Sequence, residues 1–245
     1  MWEPRTYRHW IKDKDLVTFN VTVKETDLCI RASKNLKSKA LRLVTKYREA
    51  LERYIKRHPS FLTSLEPVLV DDDAPQIVKL MAESAAKAGV GPMASVAGAI
   101  AEFVGTGLLA FSPEIIVENG GDIFLKSLKK RIVGIYAGSS PLTGKIGLEI
   151  EAAQTPLGIC TSSGRVGHSL SFGQADAVVV LSPSTPLADA AATAIGNLIK
   201  QPEDIPNGTE LAKSIEGVTG VLIIKDDKVG IWGEVKICQT GSHKE

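Results

Sequence analysis

The stretch from Gly158 to Lys200 constrains the chain more than any other. It reads as an apolar strand ending in Thr161-Ser162-Ser163-Gly164, then a glycine-punctuated loop through His168 and Gly173. A second apolar strand, Ala177 to Leu181, and a turn from Ser182 to Pro186 lead into a small-residue helix, Leu187 to Lys200. That helix places Thr193 four residues after Asp189. Residues four apart share one helix face, so a carboxylate and a hydroxyl point the same way. Both are hard oxygen donors of the kind Mg²⁺ takes alongside a substrate's phosphates. A helix amino end also favours anions. The pair therefore suits a metal that bridges protein to phosphate. A structural alternative stands beside it and is the commoner use of such spacing. Aspartate in a first turn complements the helix dipole, and a mid-helix threonine can bond back to a carbonyl.

Composition narrows the partners. A net charge of +1 leaves no electrostatic footprint for nucleic acid or an anionic membrane. Aromatics at 5% are too sparse for a base-stacking platform. Cys29, Cys160 and Cys238 are far apart and odd in number, with no C-x-x-C, which fits a reducing compartment rather than a disulfide or zinc framework. Met1 to Lys12 has no apolar core of the secretory type, so a cytoplasmic location is expected. Val90 to Ala110 is the most membrane-like stretch, but Glu102 interrupts it and Gly and Ala dominate it. A span needs about 20 predominantly apolar residues, so a tightly packed buried helix is expected there.

In order, Val17 to Val23 alternates as a half-buried strand, and Leu28 to Ala32 returns beside it. Leu36, Ala40, Val44, Tyr47, Leu51 and Tyr54 form the apolar stripe of a helix that His58-Pro59 ends. Ser60 to Asp73 is expected to be irregular or extended. Helices are expected from Pro75 to Ala88, closed by Gly89, and from Met93 to about Ala110. In the latter, Ser95, Ala97, Gly98, Ala99 and Ala101 are so small that another backbone or a flat ligand can approach. Asn119-Gly120-Gly121 signals a hairpin turn between Glu114–Val117 and Ile123–Leu125. Asp122, directly after the glycines, can hold a ribose or ring N–H, or serve as a plain turn residue. Further strands are expected at Arg131 to Tyr136, Lys145 to Glu151 and Thr155 to Cys160, and a hairpin from Val218 to Ile224 with Val229 to Ile237. The fold class is α+β, with mixed, largely antiparallel sheets covered by helices. Residues 1–245 read as one domain, or as two lobes (about 1–90 and 91–245) sharing one core.

Four segments, in order, carry a family resemblance: Gly98-Ala99-Ile100-Ala101, Asn119-Gly120-Gly121-Asp122-Ile123, Ile159-Cys160-Thr161-Ser162-Ser163-Gly164, and Ala188-Asp189-Ala190-Ala191-Ala192-Thr193-Ala194. They resemble the G-A-I-A-K-G, N-x-G-G-D-[IL], [IV]-A-T-S-G and A-D-A-x-x-T-A motifs of the ApbE family. Known members of that family are FAD-binding, magnesium-dependent flavin transferases. The chain is most similar to the family's compact cytoplasmic branch. The resemblance implies Mg²⁺ on Asp189, Thr193 and the Ala101 carbonyl. It also implies FAD, or another flavin nucleotide, against Asn119, Gly120, Gly121, Asp122, Thr161, Ser162, Ser163 and Gly164. N–H groups at the Thr161–Gly164 turn can hold a pyrophosphate. Two departures stand out. Glu102 occupies the position of the family's lysine, and no H-x-x-D-P-x-T-G stretch lies between the third segment and the last; only Gly167-His168-Ser169 and a short loop remain.

Three functions stay open at this point. One is a Mg²⁺-dependent transferase or hydrolase acting on a pyrophosphate, with His168 as acid or base. The second is a flavin- or nucleotide-binding module without transfer. The third is a thiol role for Cys160 in sulfur or cofactor metabolism, its pKa lowered by nearby N–H groups, weighed against a plain buried cysteine. A hairpin-rich protein with open strand edges also suits a homodimer.

Overall fold

The computed structural model describes residues 15–164 and 172–240. Its strands are β1 (Val17–Val23), β2 (Thr26–Ala32), β3 (Ile115–Asn119), β4 (Asp122–Lys126), β5 (Arg131–Gly134), β6 (Ile146–Ile150), β7 (Leu157–Ser162), β8 (Ala177–Ser182), β9 (Gly220–Lys225), β10 (Lys228–Gly233) and β11 (Ile237–Gln239). The helices are α1 (Lys37–Arg57), α2 (Ser60–Thr63), α3 (Gln76–Ala88), α4 (Val96–Leu109), α5 (Thr185–Leu198) and α6 (Ile205–Ser214). The fold is α+β. One sheet has the order β1-β2-β3-β4-β7-β8-β9-β10 and a smaller one the order β11-β6-β5. Each strand pair described is antiparallel.

Strand alternation sorts the apolar side chains of the large sheet onto two faces and into three clusters. Ile115 and Val117 of β3 and Phe124 of β4 face α1, α3 and α4, in a core with Val44, Met81, Ile100, Val104 and Leu108. Cys160, Val178, Val180, Val221 and Ile223 face α5 and α6. The intervening residues Ile116, Leu125, Ile159, Val179 and Leu222 face the small sheet, against Val133, Leu148 and Ile150. Helices thus cover one face of the large sheet and the small sheet covers the other. The apolar stretch before β3 is a 3₁₀ turn, Pro92–Ser95, that runs into α4, and Ala99, Ile100, Ala101, Val104 and Leu108 are buried. Length and composition would let Pro92–Leu109 cross a membrane; here it is a core helix.

Four elements differ from the sequence expectation. Ser60 to Asp73, expected to be irregular or extended, opens with the single-turn helix α2, which buries Phe61. The helix α5 begins at Thr185, because Pro186 fits a first helical turn. The helix α6 was not expected, since Pro206, Asn207 and Gly208 are poor helix formers. Gly208 is where that helix meets the core; a Cβ there would sit 2.8 Å from methyls of both Ile199 and Ile223. Val229 to Ile237 is two strands rather than one. At Gly233, with φ +78°, the chain leaves the large sheet and joins the small one. A side chain there would strike the Thr219 carbonyl at 2.1 Å.

Candidate functional site

The helix α5 lies along the helix-facing side of β7. Gly158 sits beneath Thr185, where an added Cβ would be 2.5 Å from the Thr185 Cα. The Cys160 thiol donates to the Thr185 carbonyl at 3.3 Å. Farther along, Ser162 packs under Gly196, its Oγ 3.2 Å from where a Cβ would be. The hairpin turn between β3 and β4 closes at the same end. Gly120 and Gly121 have φ of +70° and +108°, the conformation a two-residue hairpin turn requires. Asn119 Nδ2 donates to the Ala97 carbonyl at 3.0 Å, and Asp122 Oδ1 accepts the Thr161 N–H at 3.3 Å. The start of α4, the glycine turn, the end of β7 and the first turns of α5 therefore converge.

At the centre, α4 and α5 cap each other. Gly98 N–H donates to Asp189 Oδ2 at 2.8 Å, and Thr185 N–H donates to Glu102 Oε2 at 2.6 Å. Each helix contributes a donor and, four residues later, the carboxylate that serves the other helix. These N–H groups belong to first helical turns, which have no partners within their own helix. The residues at the cap positions, Ser95 and Ser184, make no side-chain capping bond. The Ser95 hydroxyl donates instead to the Pro92 carbonyl at 2.7 Å. Gly98 makes the crossing possible, because a Cβ there would lie 2.6 Å from the Thr185 carbonyl oxygen and 2.9 Å from the Asp189 Cβ.

A family model described as AbpE bacteria matches residues 8–216. The chain belongs to this ApbE-like family. It is 48% identical over 221 residues to a UPF0280 protein of Methanocaldococcus jannaschii, covering 88% of this chain and 90% of that one. With a UPF0280 protein of Methanopyrus kandleri it shares 44% identity over 225 residues, covering 89% and 91%. Among solved structures, it is similar to the flavinyl transferase ApbE of Pseudomonas stutzeri in its apo form, with a TM-score of 0.56 at 15% identity, over 89% of this chain and 94% of that one. A mutant of the flavin transferase ApbE from Vibrio cholerae gives a TM-score of 0.50 at 14% identity, over 89% and 97%. At such identities the likeness to these transferases is one of fold.

In this ApbE-like protein the site's electrostatics are unbalanced. Burial pushes the Asp122 carboxyl up to about 7, and the Glu118 charge adds to it against the hydrogen bond from the Thr161 N–H. Burial also raises Asp189 well above the carboxylate range, with the Asp122 charge as the second cause, while the N–H groups of Gly98 and Ala97 oppose it. Neither carboxylate has a cationic partner among the described residues. Two like charges of this kind, Asp122 buried and Asp189 half-buried, favour a shared proton or a divalent cation. The donor set is all oxygen and so fits Mg²⁺. Among the described residues no group of three or more His, Cys, Asp or Glu side chains gathers around a metal position. Carbonyls, hydroxyls, water or substrate oxygens must therefore complete any coordination.

Of the residues singled out in the sequence, Thr193 lies one turn beyond Asp189 and is half-buried, and Ala101 is buried inside α4. Two N–H groups of the Thr161–Gly164 turn are already engaged, by Asp122 and by the Ala175 carbonyl at 3.0 Å. Cys160 is fully buried, and burial followed by the charges of Asp122 and Asp189 pushes its thiol up, opposite to the lowering expected for a reactive cysteine. His168 lies outside the described residues. Sequence reasoning passed over the capping role of Glu102. The signal was present as the matched spacings Gly98–Glu102 and Thr185–Asp189, but nothing local pairs them.

Proposed function

We propose that this protein binds a flavin nucleotide together with Mg²⁺ and acts across the pyrophosphate of FAD, in the cytoplasm. The observation that carries the reading is the pair of carboxylates, Asp122 buried and Asp189 half-buried, without a positive partner among the described residues, on a fold shared with flavin transferases. Asp189, Thr193 and the Ala101 carbonyl would hold the cation, with Asp122 sharing its charge. When bound, Mg²⁺ supplies charge neutralisation on the leaving phosphate. Asn119 to Asp122 and Thr161 to Gly164 flank the nucleotide. Because two N–H groups of the second turn are engaged inside the protein, that turn would offer fewer donors to the phosphates, and charge neutralisation by Mg²⁺ on Asp189 would matter more.

With water as acceptor, one P–O bond of the FAD pyrophosphate breaks, and FMN and AMP are released. The wild-type protein is expected to release FMN from FAD only when Mg²⁺ is present, and Asp189→Ala to lose at least about 100-fold of that rate, the scale of losing a principal charge-stabilising group. FMN release that ignores Mg²⁺, or an undiminished Asp189→Ala variant, contradicts the reading. A second reading rests on the absent H-x-x-D-P-x-T-G stretch: a module that binds FAD with Mg²⁺ and transfers nothing. Saturable, Mg²⁺-dependent FAD binding without FMN release favours it.

A further inference from the structure

We infer that Glu102 is a positioning residue for a divalent cation at Asp189, acting through the amino terminus of α5. The inference rests on the metal reading above and adds to it the residue that aims the ligand. Asp189 lies one turn into α5, so the direction of its carboxylate follows from how that helix is seated and rotated. Between the buried Leu187 and Ile195, the seating surface offers little grip. The buried positions there, Ala188, Ala190, Ala191, Ala192 and Ala194, are all alanines, and a stretch faced with methyl groups has shallow ridges to resist sliding or turning. Specific bonds must supply what side-chain interlock does not.

The cap residue Ser184 supplies none, and its buried hydroxyl has no hydrogen-bond partner. The Glu102 carboxylate does, taking the Thr185 N–H at 2.6 Å from a position 83 residues earlier in the chain. The reciprocal bond, Gly98 N–H to Asp189, uses the carboxylate that the cation would take. A cation that competes for Asp189 leaves the Glu102–Thr185 bond as the polar tie still fixing α5 against α4. Groups of this kind, behind the ligand rather than on the ion, typically change metal affinity by about 10–100-fold when removed.

Calorimetric titration of the full chain with Mn²⁺ tests this, beside thermal melts of the same samples. Glu102→Leu, which removes the acceptor, is expected to weaken Mn²⁺ binding at least about tenfold. Glu102→Gln keeps an acceptor oxygen in place and is expected to stay within about threefold of wild type. Leu51→Ala, in the α1 core, is the control for lost stability and is expected to bind Mn²⁺ as wild type does. If Glu102→Leu fails to fold, Glu102→Asp carries the same expectation, its carboxylate being one methylene short of Thr185. Wild-type affinity in Glu102→Leu, or an equal loss in Leu51→Ala, overturns the inference while leaving the metal reading intact. A wild-type protein that binds no Mn²⁺ overturns the metal reading itself.

Discussion

Asp122 is a carboxylic acid that its surroundings keep protonated up to near-neutral pH. Its pKa is raised from 3.8 to about 7, so between those values the folded protein keeps a proton that the unfolded chain has released. The stability this confers is complete below about pH 4 and is lost as pH rises through about 7. At about 1.4 kcal/mol per unit, the whole window is worth on the order of 4 kcal/mol in the metal-free protein. Other carboxylates act oppositely and at the acid end: the Arg131 guanidinium, with Lys129, holds Asp15 far below its usual range. The difference between wild type and Asp122→Asn therefore isolates the effect. Urea denaturation of both without metal is expected to show wild type losing stability relative to the variant from pH 4.5 to 8. A difference that stays flat, or grows the other way, contradicts the burial of an uncompensated acid. Both acids were legible as candidates, Asp189 by its spacing to Thr193 and Asp122 by its place after Gly120-Gly121. Their mutual repulsion was not, since it arises only when β4 and α5 meet across the sheet.

Helices α4 and α5 owe their closeness to missing side chains. Gly98 and Gly158 grip Thr185 from above and below, and Gly105 leaves room for the Phe124 ring, 2.2 Å from where a Cβ would be. Gly98→Ala gains about 1 kcal/mol of helix propensity. It also drives a methyl into the Thr185 carbonyl, and overpacking of that kind costs about 1–3 kcal/mol. A net lowering of the thermal midpoint is expected, together with weaker Mn²⁺ binding, because the crossing carries Asp189. An unchanged or raised midpoint would show that the helices can part without cost. The periodic helices α1 and α3 were readable from apolar spacing. The short α2 and the helix α6 were not, the first for its single turn and the second because Ile195, Ile199 and Ile223 close over Gly208 and override local propensity.

Over the whole molecule, three layers leave one end of the large sheet where the amino terminus of α4, the glycine turn and the end of β7 meet. Alternation and turn residues made the hairpins predictable, and with them the α+β class. The order of strands in the sheet was not written locally. Neither β4 beside β7 nor the passage of the last strand into the small sheet follows from any stretch shorter than the chain. The account depends on two acidic side chains becoming ligands to one cation at that end. The most direct measurement is anomalous diffraction from crystals grown with Mn²⁺ and FAD. The expected result is a peak within coordination distance of Asp189, with Asp122 turned toward it and the FAD phosphates on its far side. Asp189 still bonded only to the Gly98 N–H, with no peak beside it and the flavin nucleotide absent or bound elsewhere, would contradict it.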